Sequence, residues 1–519
     1  MKNLLFVLLL AGTIGFINIE RFKVSSGIDF YQYWGVGKAQ KLSPNTLSSP
    51  SAEQEKYAAV LNAHASSSTD LHLLKANDLR RELYLNQTPL CYFVFTFLPA
   101  NFALAFGIYQ LIQVVLFLAA IIIMSSMYFG DWQRLLPLGL LLTVVYGPLV
   151  ADLEVGNINF LYLFGFAFLL WLSDKYLVKP SPPPAPGVSM LFMSVLVFLF
   201  LLKPSWSLVL LLLAVYLWLR QGTSVFVRAA AVGCFFGVVF MVLPGLQFHS
   251  WEVWQDWYHC LKAWDGTLLM ARIPRGNYSP ALLCSKLVGC NYLTGKVLLG
   301  LLLAFSIGIA LMMARGKEES FGKGMARVAL QSFADPHLIL AFGIMVTLFL
   351  SSFGWYHYYT LSLLPAFWLI SPGHPWRWAR VAGVVSLLFT ANLITGAMRL
   401  IFGLTCLLTS ASAAIVPGPV NAWLSNAGLT ATAGLTNRGL AGLFGGAGLQ
   451  GNADVSLING LVAVLGFIPL WLGILAAVAI PKKADLRSSR PGGTGARQDA
   501  GSPGGQTSPW PKAADCRTF

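Results

Sequence analysis

Along the chain, apolar residues gather into blocks about as long as a helix needs to cross a bilayer, and polar residues collect between them. A sliding hydropathy window predicts helices over 3–19, 102–127, 134–151, 156–173, 187–203, 205–220, 226–245, 291–314, 337–354, 356–371, 380–403 and 456–480. This is the pattern of an all-α polytopic membrane protein with about twelve transmembrane helices in a domain spanning 1–480. Three longer segments interrupt it, at 20–101, 246–290 and 404–455. The first holds a polar, helix-prone run at 52–85, then the apolar stretch QTPLCYFVFTFLP, which is expected to lie along the membrane interface. The second opens with HSWEVWQDWYHCLKAW, whose tryptophans at 251, 254, 257 and 264 suit an interfacial amphipathic helix. The third is rich in Gly, Ala and Leu. KPSPPPAPG (179–187) reads as a stiff linker, and 481–519 as a disordered basic tail. The first block resembles a signal peptide, but GTIGF is a poor cleavage site and Lys2 is its whole basic region, so an uncleaved first helix is expected. No inverted repeat of the transporter kind stands out.

Charge orients the bundle. With the N-terminus inside, the inner loops hold Lys2, Arg134, Lys175, Lys179, Arg220, Arg228, Arg315, Lys317, Lys323, Arg327, Arg377, Arg380, Lys482, Lys483, Arg487 and Arg490, whereas the outer turns 147–157 and 352–356 hold no Lys or Arg. Both termini are then cytoplasmic and the three long segments extracytoplasmic, which would suit a bacterial inner (plasma) membrane. Composition agrees: 56% of residues are hydrophobic and 11% charged, with a mean hydropathy of +0.66. The net charge of +14 belongs to the inner loops, and no basic patch is interleaved with a nucleic-acid-reading motif, so nucleic acid is not an expected partner. Seven cysteines at 91, 234, 260, 284, 290, 406 and 516 form no CxxC or zinc spacing; Cys284 and Cys290 can pair on an oxidising face, though unpaired thiols fit the odd count better.

With sidedness fixed by charge alone, the ionisable residues at the membrane edge all fall on the outer side. They are Asp29 in GIDFYQYW, Asp152 and Glu154 in ADLEVGNINF, Lys203 in LLKPSW, Arg272 and Arg275 in ARIPRGNYSP, and His357 in GWYHYY. Cations there can hold a phosphate, a carboxylate can take a proton from an attacking hydroxyl, and apolar surroundings can admit a lipid tail. Each residue also has a plainer role: Asp29 as an N-cap, Lys203 snorkelling, the arginines on headgroups, His357 as a hydrogen-bonded core residue, Glu154 solvated, and Asn157 and Asn159 at a helix start.

The order of these motifs resembles glycosyltransferase family 87 of the GT-C superfamily, which includes the mycobacterial polyprenol-phosphate-mannose-dependent mannosyltransferases. DFYQYW follows the first helix. QTPLCYFVFTFLP is like the family's tyrosine-proline-proline stretch, GNINFLYLF like its glycine-glutamine-x-asparagine helix start, and KPSWSLVLLLL like its lysine-proline helix start. RGNYSPALLC is like an asparagine-glutamine-serine stretch and FGWYHYYTLSLLP like a serine-tryptophan-aspartate-histidine stretch, and the series spans residues 1–371. Thr88-Pro89 stands where two prolines are usual, Asn157 for the glutamine, and Tyr356 for the aspartate before the histidine; LTNRGLAGLFG, in the long third segment, faintly echoes an asparagine-containing family stretch.

The resemblance implies a GT-C-type bundle with a large first outer loop, a polyprenyl-phosphate sugar as donor, and a lipid or glycan as acceptor. It maps the family's base onto Asp29, its donor-side histidine onto His357 and its helix-start lysine onto Lys203; by their chemistry and placement, Arg272 and Arg275 are expected with them on the donor phosphate, and Tyr33, Glu154, Asn157 and Asn277 at the substrates. Mannose is the favoured sugar among hexoses and pentoses, transferred with inversion. No cofactor is expected, since neither a P-loop nor a credible GxGxxG is present; Asp29 with Glu154 can at most bind a divalent metal weakly. The rival reading is a transporter or flippase for a lipid-linked or anionic substrate. That reading predicts charges near helix centres and paired broken helices.

Overall fold

The structure, a computed structural model, describes residues 12–15, 17–19, 22, 25–44, 46–131, 135–177, 186–264, 279–314, 320–351, 355–374, 377–390 and 464–479. The regular elements among the described residues are all helices, with no β-strand. Five helices are long and apolar enough to cross a membrane: Phe102–Phe129, Asn159–Leu177, Pro204–Gln221, Thr223–Gln247 and Tyr292–Ala314. A sixth span forms if Leu136–Val145 and Gly147–Val155 count as one. Pro186–Leu202, Pro336–Leu350 and Phe467–Ala479 are apolar but shorter. Most predicted segments are therefore present as helices, but the described residues do not show twelve full spans.

The shortfall has local causes. The 134–151 block is bent by 67° at Tyr146, where Pro148 denies the helix a donor and a fitting ring. The 356–371 block begins as a 3-10 helix, Tyr356–Ser362, and only then becomes α-helical over Leu363–Ile370. Of 3–19, residues 12–15 and 17–19 are described and helical. Of 380–403, the described part ends with the Arg377–Thr390 helix; the 404–455 segment and the 481–519 tail lie outside the described residues.

Two long helices, Thr223–Gln247 and Tyr292–Ala314, bury little of their surface against protein. Large apolar side chains such as Phe235 and Phe305 stay about two-thirds exposed (65% and 67%), as a lipid-facing helix requires.

The first long segment is built on its aromatics. In the Ile28–Leu42 helix, Phe30, Tyr31, Tyr33 and Trp34 are all buried. The Phe30 ring packs against Phe95, Phe102, Phe106 and Tyr109, with centroids 5.2 to 5.9 Å apart. Burying one such ring contributes about 1.5–3 kcal/mol. Tyr31 donates to Asn77 Oδ1 at 2.7 Å, and the Trp34 indole donates to the Pro99 carbonyl at 2.8 Å. The polar run resolves into the Gln54–Ser66 and Leu71–Leu79 helices.

Two expected interfacial elements gain protein contacts here. The QTPLCYFVFTFLP stretch forms the Pro89–Phe95 helix with Pro89, Leu90, Cys91, Tyr92 and Phe95 buried, while Val94 and Phe97 stay exposed, so one face packs on the core and an apolar face stays outside. The Val253–Trp264 helix does form, and Trp251 just before it is 71% exposed. Its Trp257, however, donates to the Asn86 carbonyl at 3.0 Å and its Cys260 sulfur accepts from Gln54 at 3.2 Å, which ties the helix to the first segment. Cys284 and Cys290 are free thiols.

Candidate functional site

Two glycines bring the parts together. Gly27 precedes the Ile28–Leu42 helix in the left-handed region (φ 56°), and its N–H donates to the Glu154 carbonyl at 2.9 Å. Gly156 ends the Gly147–Val155 helix at φ 71°; a Cβ there would stand 2.6 Å from Phe30 Cβ. Only glycine meets both demands at low cost. The contact places Asp29, in the first turn of one helix, beside Asn157, just past the end of the other. Asp29 is therefore not an N-cap. Its carboxylate reaches across the chain.

Asn157 donates its amide to Asp29 Oδ2 at 2.8 Å, and its side-chain oxygen accepts from Lys203 Nζ at 3.2 Å. Its backbone carbonyl accepts from Gln113 at 2.6 Å and from the Tyr109 hydroxyl at 2.8 Å, so the residue is held on both sides. Its side-chain oxygen also accepts from the Ile158 N–H at 2.8 Å, the local helix-start bond.

Lys203 is 4% exposed and sits in the break between the Pro186–Leu202 helix and the short 3-10 turn Pro204–Trp206. Pro204 forces it into extended backbone (φ −158°, ψ 97°) and out of the helix. The freed carbonyls are capped: Tyr162 donates to Leu199 O at 2.6 Å and Lys203 O at 3.2 Å, and Thr88 Oγ1 donates to Leu202 O at 2.7 Å. Thr88, where a family proline is usual, is thus bonded to the lysine's own turn. The Lys203 ammonium lies 4.2 Å from the centroid of the Tyr358 ring. Among the described residues, no carboxylate lies within ion-pair distance of it.

His357 lies in the Tyr356–Ser362 turn with Nε2 3.8 Å from Asp29 Oδ2, and that nitrogen has no hydrogen-bond partner among the described residues. Its carbonyl accepts from Asn159 Nδ2 at 3.3 Å; the same amide donates to Asp152 Oδ1 at 3.0 Å. Asp152 and Asn159, both fully buried, thereby fix the turn that carries the histidine. Tyr356 turns the other way and donates to the Thr390 carbonyl at 3.0 Å.

Sequence reasoning missed Arg80. It stands at the end of the Leu71–Leu79 helix and donates through Nη2 to Asp29 Oδ1 at 3.4 Å. The two side chains are 27% and 14% exposed. Asp70 caps that helix through the N–H groups of His72 and Leu73, and its other oxygen accepts from Ala103 N. Nothing in LRREL separates Arg80 from Arg81; only the fold does, turning Arg81 out to pair with Asp78 at 2.7 Å.

Tyr33 lies one turn after Asp29 and is buried; burial first, then the Asp29 charge, pushes its phenol well above the ordinary value, so it is a neutral hydroxyl. Glu154 stays apart. Its carboxylate acts on Lys75, opposing the effect of desolvation, which pulls that ammonium below its ordinary value. Arg272, Arg275 and Asn277 lie outside the described residues. No group of three or more His, Cys, Asp or Glu is placed to share a metal ion among the described residues.

Asp29, Asn157, Lys203 and His357, expected together from motif order, do converge. A carboxylate faces two cations and an imidazole at the ends of apolar helices, an arrangement suited to accepting a proton beside a bound anion.

A sequence model of glycosyltransferase family 87 matches residues 88–334, a stretch that holds Asn157 and Lys203 and that the structure joins to Asp29, Arg80 and His357. No curated protein and no solved structure matches the chain. The family match and the apolar helices mark the protein as a membrane glycosyltransferase.

Proposed function

We propose that this membrane glycosyltransferase moves a hexose or pentose, mannose foremost, from a polyprenyl-phosphate sugar to a lipid or glycan acceptor on the outer face of a bacterial inner membrane. The observation that carries the reading is the meeting of Asp29 with Asn157, Lys203 and His357 from four distant segments. Arg80 pairs with Asp29, while among the described residues no carboxylate lies within ion-pair distance of Lys203, which leaves its ammonium for the single negative charge of a phosphodiester. Lipid-facing helices beside such a site suit a donor whose anchor stays in the bilayer.

In this mechanism Asp29 accepts the proton of the acceptor hydroxyl. The oxygen attacks the anomeric carbon in line, the carbon–oxygen bond to phosphate breaks, and its electron pair leaves on polyprenyl phosphate. The product is inverted. Asn157 orients the carboxylate, while Lys203 and His357 meet the phosphate; Arg272 and Arg275 are assigned to the same anion, and Tyr33, Glu154 and Asn277 to the substrates. A general base contributes about 10²–10⁴-fold.

The test is sugar transfer in membranes holding wild type or Asp29→Asn at equal expression, supplied with radiolabelled polyprenyl-phosphate mannose and, separately, other polyprenyl-phosphate sugars. Labelled product that disappears in Asp29→Asn supports the base and names the donor. Equal transfer by both removes Asp29 from the chemistry. No transfer from any donor overturns the donor class, and flipping of a lipid-linked substrate is then measured.

A further inference from the structure

Arg80 plays no part in the family motifs, yet it is the cation that touches the base. Its bond to Asp29 Oδ1 is long, 3.4 Å, well beyond a good charge-assisted hydrogen bond. Its Nε is buried without a hydrogen-bond partner. A guanidinium carries five donors in a planar fork, and here one is weakly engaged while another has no acceptor. Buried donors without partners cost free energy, so the fork is short of acceptors. His357 stands 3.8 Å from the same carboxylate and Asn157 links Lys203 to it, so an anion held by these groups also lies beside Arg80.

The reaction moves charge. Before transfer, Asp29 carries one negative charge and the phosphodiester carries one. The acceptor proton then goes to Asp29, the new bond forms from acceptor oxygen to anomeric carbon, and the old carbon–oxygen bond leaves its electrons on phosphate. Afterwards Asp29 is neutral and the phosphate monoester carries two negative charges. The sum is unchanged, but one charge has passed from the base to the leaving group. A cation fixed to the base loses its partner at that moment; one that reaches both keeps it.

We propose that Arg80 follows this charge: it pairs with Asp29 in the empty site and passes to the phosphate oxygens of the donor, stabilising the leaving polyprenyl phosphate as Asp29 takes the proton. This rests on the donor reading above. It makes Arg80 a catalytic residue and couples release of the base to arrival of the donor. The Tyr31–Asn77 bond holds the helix end from which the side chain swings, and the Asp70 cap holds the opposite end.

Equilibrium binding of a short-chain polyprenyl phosphate, without acceptor or sugar, tests it on the full chain in detergent. Arg80→Ala is expected to weaken binding by about 10- to 100-fold, the worth of a charge-assisted hydrogen bond. Arg80→Lys restores part of it, keeping the charge without the fork. Asp29→Asn is expected to tighten binding several-fold, because Arg80 is no longer shared, and Asp29→Asn with Arg80→Ala then binds like Arg80→Ala alone. Arg81→Ala leaves affinity and activity unchanged. In turnover, Arg80→Ala lowers kcat on the order of 10²–10³-fold. Unchanged affinity in Arg80→Ala, or equal tightening by Asp29→Asn with and without Arg80, overturns the proposal while leaving the donor reading standing. A wild type that does not bind polyprenyl phosphate overturns the donor reading, and this proposal with it.

Discussion

Asn157 gives its side-chain amide to Asp29 at 2.8 Å while its side-chain oxygen takes the Lys203 ammonium at 3.2 Å. One asparagine thus relates the carboxylate to the cation and fixes which amide end faces which charge. Asn157→Ala removes both bonds and leaves two charges without their partner. Transfer should fall on the order of 10²–10³-fold, a loss like that of an oriented donor in other active sites, and the melting temperature should fall too, since the buried Lys203 ammonium loses a partner. Asn157→Asp should be worse. It sets a second carboxylate against Asp29, and two such groups at this range share a proton, which occupies the base. Initial rates on purified variants check the order: wild type, then Asn157→Ala, then Asn157→Asp. An Asn157→Asp variant as active as wild type would remove Asn157 from the site.

The Lys203 ammonium over the Tyr358 ring gives a second prediction. Tyr358→Phe keeps the ring and should leave donor KM nearly unchanged. Tyr358→Leu removes the π face, worth about 0.5–2 kcal/mol, so donor KM should rise about 2- to 30-fold with acceptor KM unaffected. Thr88→Val should act on the same lysine by another route. It strips the cap from the Leu202 carbonyl and loosens the turn that Pro204 imposes. A rise in acceptor KM instead of donor KM in either variant would place Lys203 on the other substrate.

Much of this was legible before the fold was seen, for physical reasons. Asp29, Lys203 and His357 are ionisable residues at the ends of apolar blocks, where a charge is costly enough to stand out. The Lys-Pro dipeptide signalled its own helix break. Arg80 was illegible because it lies in a polar run where arginine is ordinary, and its inward turn depends on where the Leu71–Leu79 helix ends. Glu154 looked equivalent to Asp29 in sequence, but it falls at the end of a bent helix where Lys75 meets it. The bend at Tyr146 was foreshadowed by Gly147-Pro148, whereas Gly354 marked a break before Tyr356 but not the 3-10 form of the turn that follows. The aromatics around Asp29 form the knot that packs the first segment onto the Phe102–Phe129 helix.

Gly156 supplies a prediction about precision. At φ 71°, with Phe30 Cβ 2.6 Å and Phe106 Cε2 3.0 Å from the place of a Cβ, Gly156→Ala combines left-handed strain with a clash. The backbone strain alone costs about 1–3 kcal/mol. Gly130→Ala has a similar φ of 70° and nothing within 4 Å, so it isolates the strain. Gly156→Ala should lower the melting temperature more than Gly130→Ala, and it alone should depress kcat, because it displaces the adjacent Asn157 from Asp29. Equal effects of both on kcat would mean that the contact at Phe30 does not position the site.

At its other end, the Asn159–Leu177 helix separates stability from chemistry. His337 Nε2 faces Asp174 at 3.0 Å, and Nδ1 lies 2.9 Å from the Tyr128 hydroxyl, so one ring links the helices Phe102–Phe129 and Pro336–Leu350 to the Ser173–Leu177 turn. Nε2 faces the carboxylate and Nδ1 the Tyr128 hydroxyl, so both ring nitrogens are engaged. This link lies about 25 Å along the helix from Asn157, at 1.5 Å per residue from Asn157 to Asp174. His337→Ala leaves the buried Tyr128 hydroxyl and the Asp174 carboxylate without their shared partner, and should destabilise the bundle by about 1–3 kcal/mol. His337→Gln, which can still donate to Asp174, should recover part of that loss. Donor KM and kcat below the melting transition should match wild type in both, since the link touches none of Asp29, Asn157, Lys203 or His357. Thermal melting in detergent and initial rates on the same preparation check it. A His337→Ala protein that melts like wild type, or one that melts lower and also loses kcat at low temperature, contradicts this separation.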